Sequence, residues 1–222
     1  HELPGYRHLS DSVTRELFER EWNVSISPEP GFRIPNMLDA AHSDEFMGIY
    51  VQGEDIAQSD PNTQHVTSAL EAMECVVVQD IFLNETAKYA HVILPGASFL
   101  EKDGTFTNAE RRISRIRKVM EPLAGKADWE ATVMLSNALG YPMDYTHPSQ
   151  TMDEIARLTP TFTGVSYEKL DEGSIQWPCN DEAPDGTPIM HTSEFVIGKG
   201  RFVITEYVPT SERTTRKFPL IL

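Results

Sequence analysis

Cysteine is scarce in this sequence, where Cys75 and Cys179 are the only two among 222 residues. Two cysteines so far apart make neither a disulfide framework nor the paired spacing of a zinc site, and the count fits a reducing compartment. The histidines are scattered without a metal-ligand spacing. We therefore predict no metal site within the chain, a buried thiol at Cys75 in an apolar run, and a more accessible thiol at Cys179 in a loop.

Basic residues are also few, and long apolar runs are missing. Lys and Arg number 19 against 34 Asp and Glu, which gives a formal net charge of −15. This charge disfavours non-specific binding to nucleic acid or to anionic membranes. No apolar stretch approaches the roughly 20 residues that span a bilayer, so we expect no direct membrane insertion. An anionic ligand is still compatible with the charge, because local amides and arginines can outweigh the overall field.

Motifs for catalysis are missing as well. The sequence contains no nucleophile–base pair, no phosphate-binding loop of the Walker type and no cysteine cluster for an iron–sulfur centre. We therefore assign no catalytic residue and expect the chain to hold a ligand. Both ends look interrupted, since His1 is not Met and an apolar run is under way at Leu222. This indicates a piece of a longer polypeptide rather than an intact mature protein.

What the sequence does contain is a repeated strand–helix pattern between residues 46 and 98. Short apolar runs at 46–51, 75–78 and 91–94 are separated by helix-length segments and bounded by turns, which is typical of buried parallel strands. The predicted fold class is α/β, a Rossmann-like parallel sheet with helices on both faces, followed by mixed connecting segments. The helix after the first strand should bury its apolar stripe, which consists of Val66, Leu70 and Met73.

The remaining pattern divides the chain into three parts. We predict part of a nucleotide-binding domain at 1–98, connecting segments of neighbouring domains at 99–190, and a β-rich start of a C-terminal region at 191–222. Capping and periodicity predict further elements, namely helices at about 12–21, 34–41, 126–139 and 151–158 and a hairpin at 195–208.

The loop after the first strand holds Gly53, Glu54, Asp55 and Ser59. Glycine lets the backbone approach a ligand closely. A carboxylate can accept hydrogen bonds from ribose hydroxyls or from the N1 and N2 donors of guanine, and Ser59 lies near a helix start that can bind phosphate. A strand-ending turn with a helix cap explains these residues equally well.

The loops after the second and third strands hold Gln79 with Asp80, and Gly96. The carboxyl ends of parallel strands are where such sheets bind ligands, so these positions suit a nucleotide. Taken alone, Gln79 and Asp80 are explained slightly better as caps of the following turn. The three loops together are more specific, because one ligand could touch them all.

The only basic cluster lies between residues 107 and 118. It contains Arg111, Arg112, Arg115, Arg117 and Lys118. Arginines attract anions, but salt bridges to the surplus carboxylates are the simpler interpretation of the sequence.

Several motifs, in this order, resemble the molybdopterin oxidoreductase family. They are residues 50–55, 78–82, 86–87, 90–95, 101–112 and 128–129. Residues 140–143 and 175–179 narrow the resemblance to the catalytic (alpha) subunits of formate dehydrogenases. It covers nearly the whole chain, most strongly from 37 to 178. Two positions depart from the family pattern: His91, where relatives commonly have Asp, and Ile56, where many have Pro.

The resemblance implies a cofactor site without the reaction centre. Members of the family hold molybdenum or tungsten between two pterin guanine dinucleotides, carry a 4Fe-4S cluster near the N-terminus, and oxidise formate to carbon dioxide. Their metal ligand, substrate residues and cluster cysteines would lie outside this chain, which alone would be inactive. The resemblance brings the arginine motif at 108–112 near the cofactor. It assigns cofactor contacts to eight residues, namely Gly53, Glu54, Asp55, Ser59, Gln79, Asp80, Gly96 and Asp128.

The implied partners are formate, the remaining domains of the same subunit and electron-transfer subunits. The expected compartment is the cytoplasm, with the periplasm as the alternative because the natural N-terminus is expected to be missing. Two other functions compete. One is another enzyme of the family, such as a nitrate reductase. The other is a non-catalytic scaffold like the large iron–sulfur subunit of respiratory complex I, which the intact loops at 53–55 and 79–80 disfavour.

Overall fold

Three parallel strands form the centre of the structure, a computed structural model that describes residues 2–208 and 213–220. The chain divides into two units, His1–Pro188 and Ile189–Leu222. The first unit contains all the helices and strands of the described residues. Its strands are β1 (Glu2–Leu3), β2 (Arg7–His8), β3 (Gly48–Gln52), β4 (Cys75–Asp80), β5 (Val92–Pro95), β6 (Gly104–Thr107), β7 (Arg112–Ile116) and β8 (Ile175–Gln176). Its helices are α1 (Ser12–Trp22), α2 (Ile34–Ala41), α3 (Ile56–Ser59), α4 (Thr63–Ala72), α5 (Asp128–Ala138), α6 (Pro148–Leu158) and α7 (Tyr167–Glu172), with a 3-10 helix at Thr86–Tyr89.

The parallel sheet has the order β3-β4-β5. Gln52 pairs with Gln79 at the carboxyl end of β3 and β4, and Asp80 pairs with Pro95 at the end of β4 and β5. This register brings the three loops of interest to one edge. The mixed α/β class and the three predicted strands are confirmed, with ends that shift by one or two residues.

One face of this sheet carries the main core. Val51, Val76 and Val78 pack there against α2 and α4. The predicted stripe of α4 is buried, since Val66, Leu70 and Met73 are each exposed by 3% or less. Burying each such side chain contributes about 1.5–3 kcal/mol, which explains why this helix covers the sheet.

The opposite face of the sheet is more polar and less covered. Side chains alternate along a strand, so Tyr50, Gln52 and Gln79 share this face with the exposed Cys75. The expectation of a buried Cys75 is therefore wrong. Cys179, expected to be accessible, is fully buried in a second core cluster, because the segment after Trp177 packs onto that cluster instead of lying free in solvent.

An antiparallel sheet with the order β6-β7-β8 forms beside this second cluster. Ile113 of β7 is fully buried there among residues of α6 and α7. A third, smaller cluster joins Leu3, Phe18 of α1 and Leu158 of α6. Residues 99–188 therefore belong to the same unit as the parallel sheet. The division of the chain into three parts, at 1–98, 99–190 and 191–222, stays a prediction.

Helix α5 differs from its prediction in burial, and helix α6 differs in its first residue. The helix expected at 126–139 forms at Asp128–Ala138, but none of its residues is buried, so its predicted apolar face packs into no core cluster of the described residues. The helix expected at 151–158 begins earlier, at Pro148, because proline suits the first helical turn and the His147 ring caps it by accepting from the Ser149 amide.

The second unit contains no strand among its described residues, 189–208 and 213–220. The hairpin predicted at 195–208 is therefore wrong where it is described, as is the β-rich character of that part. Val196, Phe202 and Ile204 are at least 90% exposed. Alternating apolar residues form a strand only when a neighbouring surface covers one face, and the described residues of this unit supply none.

Candidate functional site

A cavity of about 1020 Å³ lies at the carboxyl edge of the parallel sheet. Gln52 and Gly53 from the end of β3 form one part of its wall, and Lys102 and Asp128 form another. Aromatic side chains of the first unit, among them Trp129, complete it. The cavity thus combines a charged polar wall with an aromatic one, as ligand sites usually do.

Asp128 is the most densely bonded residue in this wall. Its Oδ1 accepts from the Ala97 amide at 2.9 Å and from Gln79 Nε2 at 3.2 Å. Its Oδ2 forms an ion pair with Lys102 Nζ. The carboxylate therefore ties together the ends of β4 and β5 and the start of α5.

Lys102 and Asp128 both keep capacity for a ligand. Their side chains are 23% and 20% exposed, respectively. An ammonium group has three donors and a carboxylate has about four acceptor sites. The contacts above use three acceptor sites of Asp128, so the pair presents both a donor and an acceptor to the cavity.

Gln79 lies behind Asp128 rather than in the cavity wall. It is only 1% exposed. Its Oε1 accepts from the Tyr50 hydroxyl and from Gln52 Nε2, the latter at 3.1 Å. Burial, with a smaller contribution from the charge of Asp128, raises the pKa of Tyr50, so this hydroxyl keeps its proton.

The loop after β3 divides its predicted site residues between two directions. Gly53 lines the cavity, has a φ of +65° and has no atom within 4 Å of the position that a Cβ would take. Glu54 accepts from the Ser59 hydroxyl at 2.6 Å, and both side chains are exposed. Gly53 therefore leaves backbone space for a ligand, whereas Glu54 and Ser59 bond to each other at the surface.

Asp55 anchors the loop to the 3-10 helix. Its Oδ1 accepts from the Thr86 amide at 2.9 Å and from the Thr86 hydroxyl at 2.6 Å. Burial acts to raise the pKa of Asp55, but hydrogen bonds from Thr86, Gln58 and Glu85 outweigh it and lower the pKa below its ordinary value. The carboxylate thus serves as a structural acceptor.

Asp80 and Gly96 shape the neighbouring turns. Asp80 accepts from the Ile81 and Phe82 amides and from Asn84 Nδ2, which is the turn cap that its sequence context favoured. A Cβ on Gly96 would lie 3.0 Å from the Asp80 carbonyl carbon. The close approach of these two turns therefore depends on glycine.

The basic cluster is occupied by internal contacts. Arg111, at φ +66°, donates to the carbonyls of Trp177, Thr187 and Pro188. Arg115 and Arg117 both pair with Asp171. Salt bridges and carbonyl contacts, the simpler interpretation of the sequence, are what the structure shows.

Two residues of the site escaped the sequence analysis. Lys102 was included only in the family motif at 101–112, and Tyr50 only in the apolar run at 46–51 and the family motif at 50–55. The available signal for Lys102 was its charge, two positions before Gly104, the first residue of β6. Nothing in the local sequence indicates that the Tyr50 hydroxyl reaches Gln79, because that contact depends on the strand register.

Metal-ligand clusters and membrane-crossing helices are both absent from the described ranges, 2–208 and 213–220. No group of three or more His, Cys, Asp or Glu side chains is arranged there to hold a metal ion. No helix in those ranges has the length and apolar character needed to cross a membrane.

Similarity to known proteins identifies the family of this chain. A parallel sheet with a cavity at its carboxyl edge is the arrangement of ligand-binding α/β proteins. Residues 17–138, more than half of the chain, match the family described as molybdopterin oxidoreductase. The chain belongs to the molybdopterin oxidoreductase family.

The names of individual similar proteins are consistent with this family. The chain is 45% identical over 204 residues to a putative formate dehydrogenase of Staphylococcus haemolyticus, covering 90% of the chain and 20% of that protein. It is 40% identical over 226 residues to the F420-dependent formate dehydrogenase subunit alpha of Methanocaldococcus jannaschii, covering 99% and 33%. A probable oxidoreductase of Bacillus subtilis is 42% identical, covering 91% and 21%. The chain therefore spans between a fifth and a third of the length of these relatives.

A solved structure supports the fold. Acetylene hydratase from Pelobacter acetylenicus superposes with a TM-score of 0.55 over 84% of this chain and 28% of its own, at 17% identity. At that identity, the similarity bears on the fold alone.

Proposed function

We propose that this chain is the part of a molybdenum or tungsten formate dehydrogenase subunit that binds a molybdopterin guanine dinucleotide. The observation that carries the proposal is the cavity at the sheet edge, where Gly53, Lys102 and Asp128 converge from three segments distant in the sequence. The family match covers all three residues, and membership implies a molybdopterin cofactor.

The residues present fit a guanine nucleotide. Gly53 leaves open space beside its backbone, where a phosphate or ribose could approach. The ammonium group of Lys102 suits a phosphate or a carbonyl oxygen. The contacts described above leave Asp128 about one free acceptor site, which suits the N1 donor of guanine. Adenine presents an acceptor at N1, so this carboxylate discriminates between the two bases.

The other proposed contact residues shape the site around these three. Asp55 and Asp80 fix the loops after β3 and β4, Gly96 allows the loop after β5 to pack against them, and Gln79 supports Asp128. Glu54 and Ser59 lie at the exposed rim of the same loop, where they would meet the outer part of a dinucleotide.

Within the whole enzyme, we assign cofactor binding to this chain and the reaction itself to other parts. The bound metal would supply the redox chemistry. The residues of this chain bind and orient the nucleotide arm of the cofactor, while the metal ligand, the substrate residues and the 4Fe-4S cluster belong to other parts of a longer subunit. Electron-transfer subunits and a cytoplasmic location are part of the same proposal.

Formate is the proposed substrate because two of the similar proteins carry formate dehydrogenase in their names. Both are at least 40% identical to this chain over about 200 residues. The presence of the Lys102–Asp128 pair and Gly53 at the cavity also favours a cofactor binder over a scaffold that has lost its nucleotide.

Binding of GDP and ADP to the purified chain tests the site directly. We expect calorimetry to show tighter binding of GDP. Asp128→Asn should weaken GDP binding by about 10- to 100-fold, the range for losing a charged hydrogen-bond partner. Asp181→Asn, at an exposed carboxylate outside the cavity wall, is the matched control and should retain the affinity. Equal binding of GDP and ADP by the unmodified chain would contradict the guanine site.

A further inference from the structure

The hydrogen-bonded series behind the cavity has a defined direction. The Tyr50 hydroxyl donates to Gln79, the Gln79 amide donates to Asp128, and Lys102 donates to Asp128 from the other side. Only the last two residues line the cavity. The first two lie under it, on the less covered face of the sheet.

The orientation of the Gln79 amide is fixed by its neighbours. Gln52 Nε2 can only donate, and it points to the same Gln79 atom as the Tyr50 hydroxyl. The Asp128 carboxylate can only accept, so the Gln79 atom that faces it is the amide nitrogen, which leaves the amide oxygen for Tyr50 and Gln52. A rotated amide would place its oxygen against the Asp128 carboxylate and its nitrogen against two donors.

From this geometry we infer that Tyr50 and Gln79 are positioning residues that hold the Asp128 carboxylate in the orientation needed to recognise a guanine base. The inference rests on the proposed guanine-nucleotide site and adds two residues that act through Asp128 without touching the ligand. It also changes the role expected for Gln79, from a cofactor contact to a support.

The burial of Gln79 and the protonation of Tyr50 both support this role. Gln79 is the only glutamine among the fully buried side chains of the described residues, and a buried amide is retained only where its polar atoms are paired. The raised pKa of Tyr50 keeps its hydroxyl a donor across neutral pH. The series therefore stays intact under ordinary conditions.

The test compares nucleotide discrimination in Tyr50→Phe and Gln79→Met variants of the whole chain. We expect each to lower GDP affinity by about 3- to 10-fold, the effect of one lost hydrogen bond, and to lower the ratio of GDP to ADP affinity with it. Tyr167→Phe is the matched control, since Tyr167 is a buried tyrosine of the second core cluster. It should leave the ratio unchanged even where it lowers the thermal midpoint.

A double variant separates positioning from a general structural effect. If Tyr50 acts through Asp128, Tyr50→Phe should cause no further loss of GDP affinity in an Asp128→Asn background. Additive losses, or an unchanged GDP-to-ADP ratio in both single variants, would overturn the inference while leaving the guanine site standing. An unmodified chain without GDP preference would instead overturn the proposed function. Should Gln79→Met fail to fold, Tyr50→Phe, which keeps its ring, still decides the question.

Discussion

At the scale of single residues, carboxylates at this sheet edge serve different purposes that the sequence does not separate. Asp55 and Asp80 accept hydrogen bonds from nearby amides, whereas Asp128 faces the cavity with acceptor capacity to spare. All of them are acidic residues beside strand or helix ends. What distinguishes them is the direction of each side chain, which depends on contacts between segments far apart in sequence.

Glu101 is a further carboxylate with a structural purpose, and its pH dependence is testable. It is 6% exposed and accepts from the Leu123 amide at 2.6 Å and the Ser98 amide at 2.7 Å. The bond from Leu123, followed by those from Ser98, lowers the pKa of Glu101 below its ordinary 4.5. A lowered folded-state pKa adds stability that is fully present above the unfolded-state pKa and is lost as pH falls through the folded-state pKa.

Glu101→Gln should therefore lower the free energy of unfolding at pH 7, and the difference from the unmodified chain should shrink as the pH falls below 4.5. Urea unfolding at a series of pH values measures this difference in the free energy of unfolding. Glu71→Gln, at an exposed glutamate of α4, is the control. A difference that grows in acid would show that the carboxylate is not held ionised by these amides.

At the scale of elements, the sequence predicted the parallel sheet well and the later segments less well. The runs that became β3, β4 and β5 are short, apolar and bounded by turns, which predicts parallel strands although β5 is largely exposed. The apolar stripe on α4 predicts a buried helix face. The alternation at 195–208 has no such support, since its strand character depends on a surface that the described residues of the second unit do not provide. The apolar residues of α5 likewise join no core cluster of the described residues.

The contact between α4 and the sheet should carry a large share of the stability of the first unit. Leu70 of α4 is fully buried in the main core. Leu70→Ala is expected to lower the free energy of unfolding by about 2–5 kcal/mol, through lost burial and the cavity that it leaves. Denaturant unfolding measures this loss.

Leu83→Ala is the matched control, because Leu83 is 79% exposed. It should change the free energy of unfolding by at most about 0.5 kcal/mol. Equal losses in the two variants would contradict the assignment of the main core.

At the scale of the whole molecule, the candidate site could be predicted in outline but not in detail. Strand order brings the loops after β3, β4 and β5 to one edge, so the sequence was enough to predict that these loops meet. It was not enough to separate Gly53 and Asp128, which line the cavity, from Gln79, which supports it. That distinction, like the inclusion of Lys102 and Tyr50, comes from how the loops and α5 meet in three dimensions.

The central claim is that this chain forms a site for the guanine arm of a pterin cofactor. Identifying the nucleotide released by acid hydrolysis of the intact purified protein that contains this chain tests it most directly. We expect GMP in a fixed ratio to bound molybdenum or tungsten, with both the nucleotide and the metal reduced together in Asp128→Asn. A protein that carries the metal but releases a different nucleotide, or none, would contradict it.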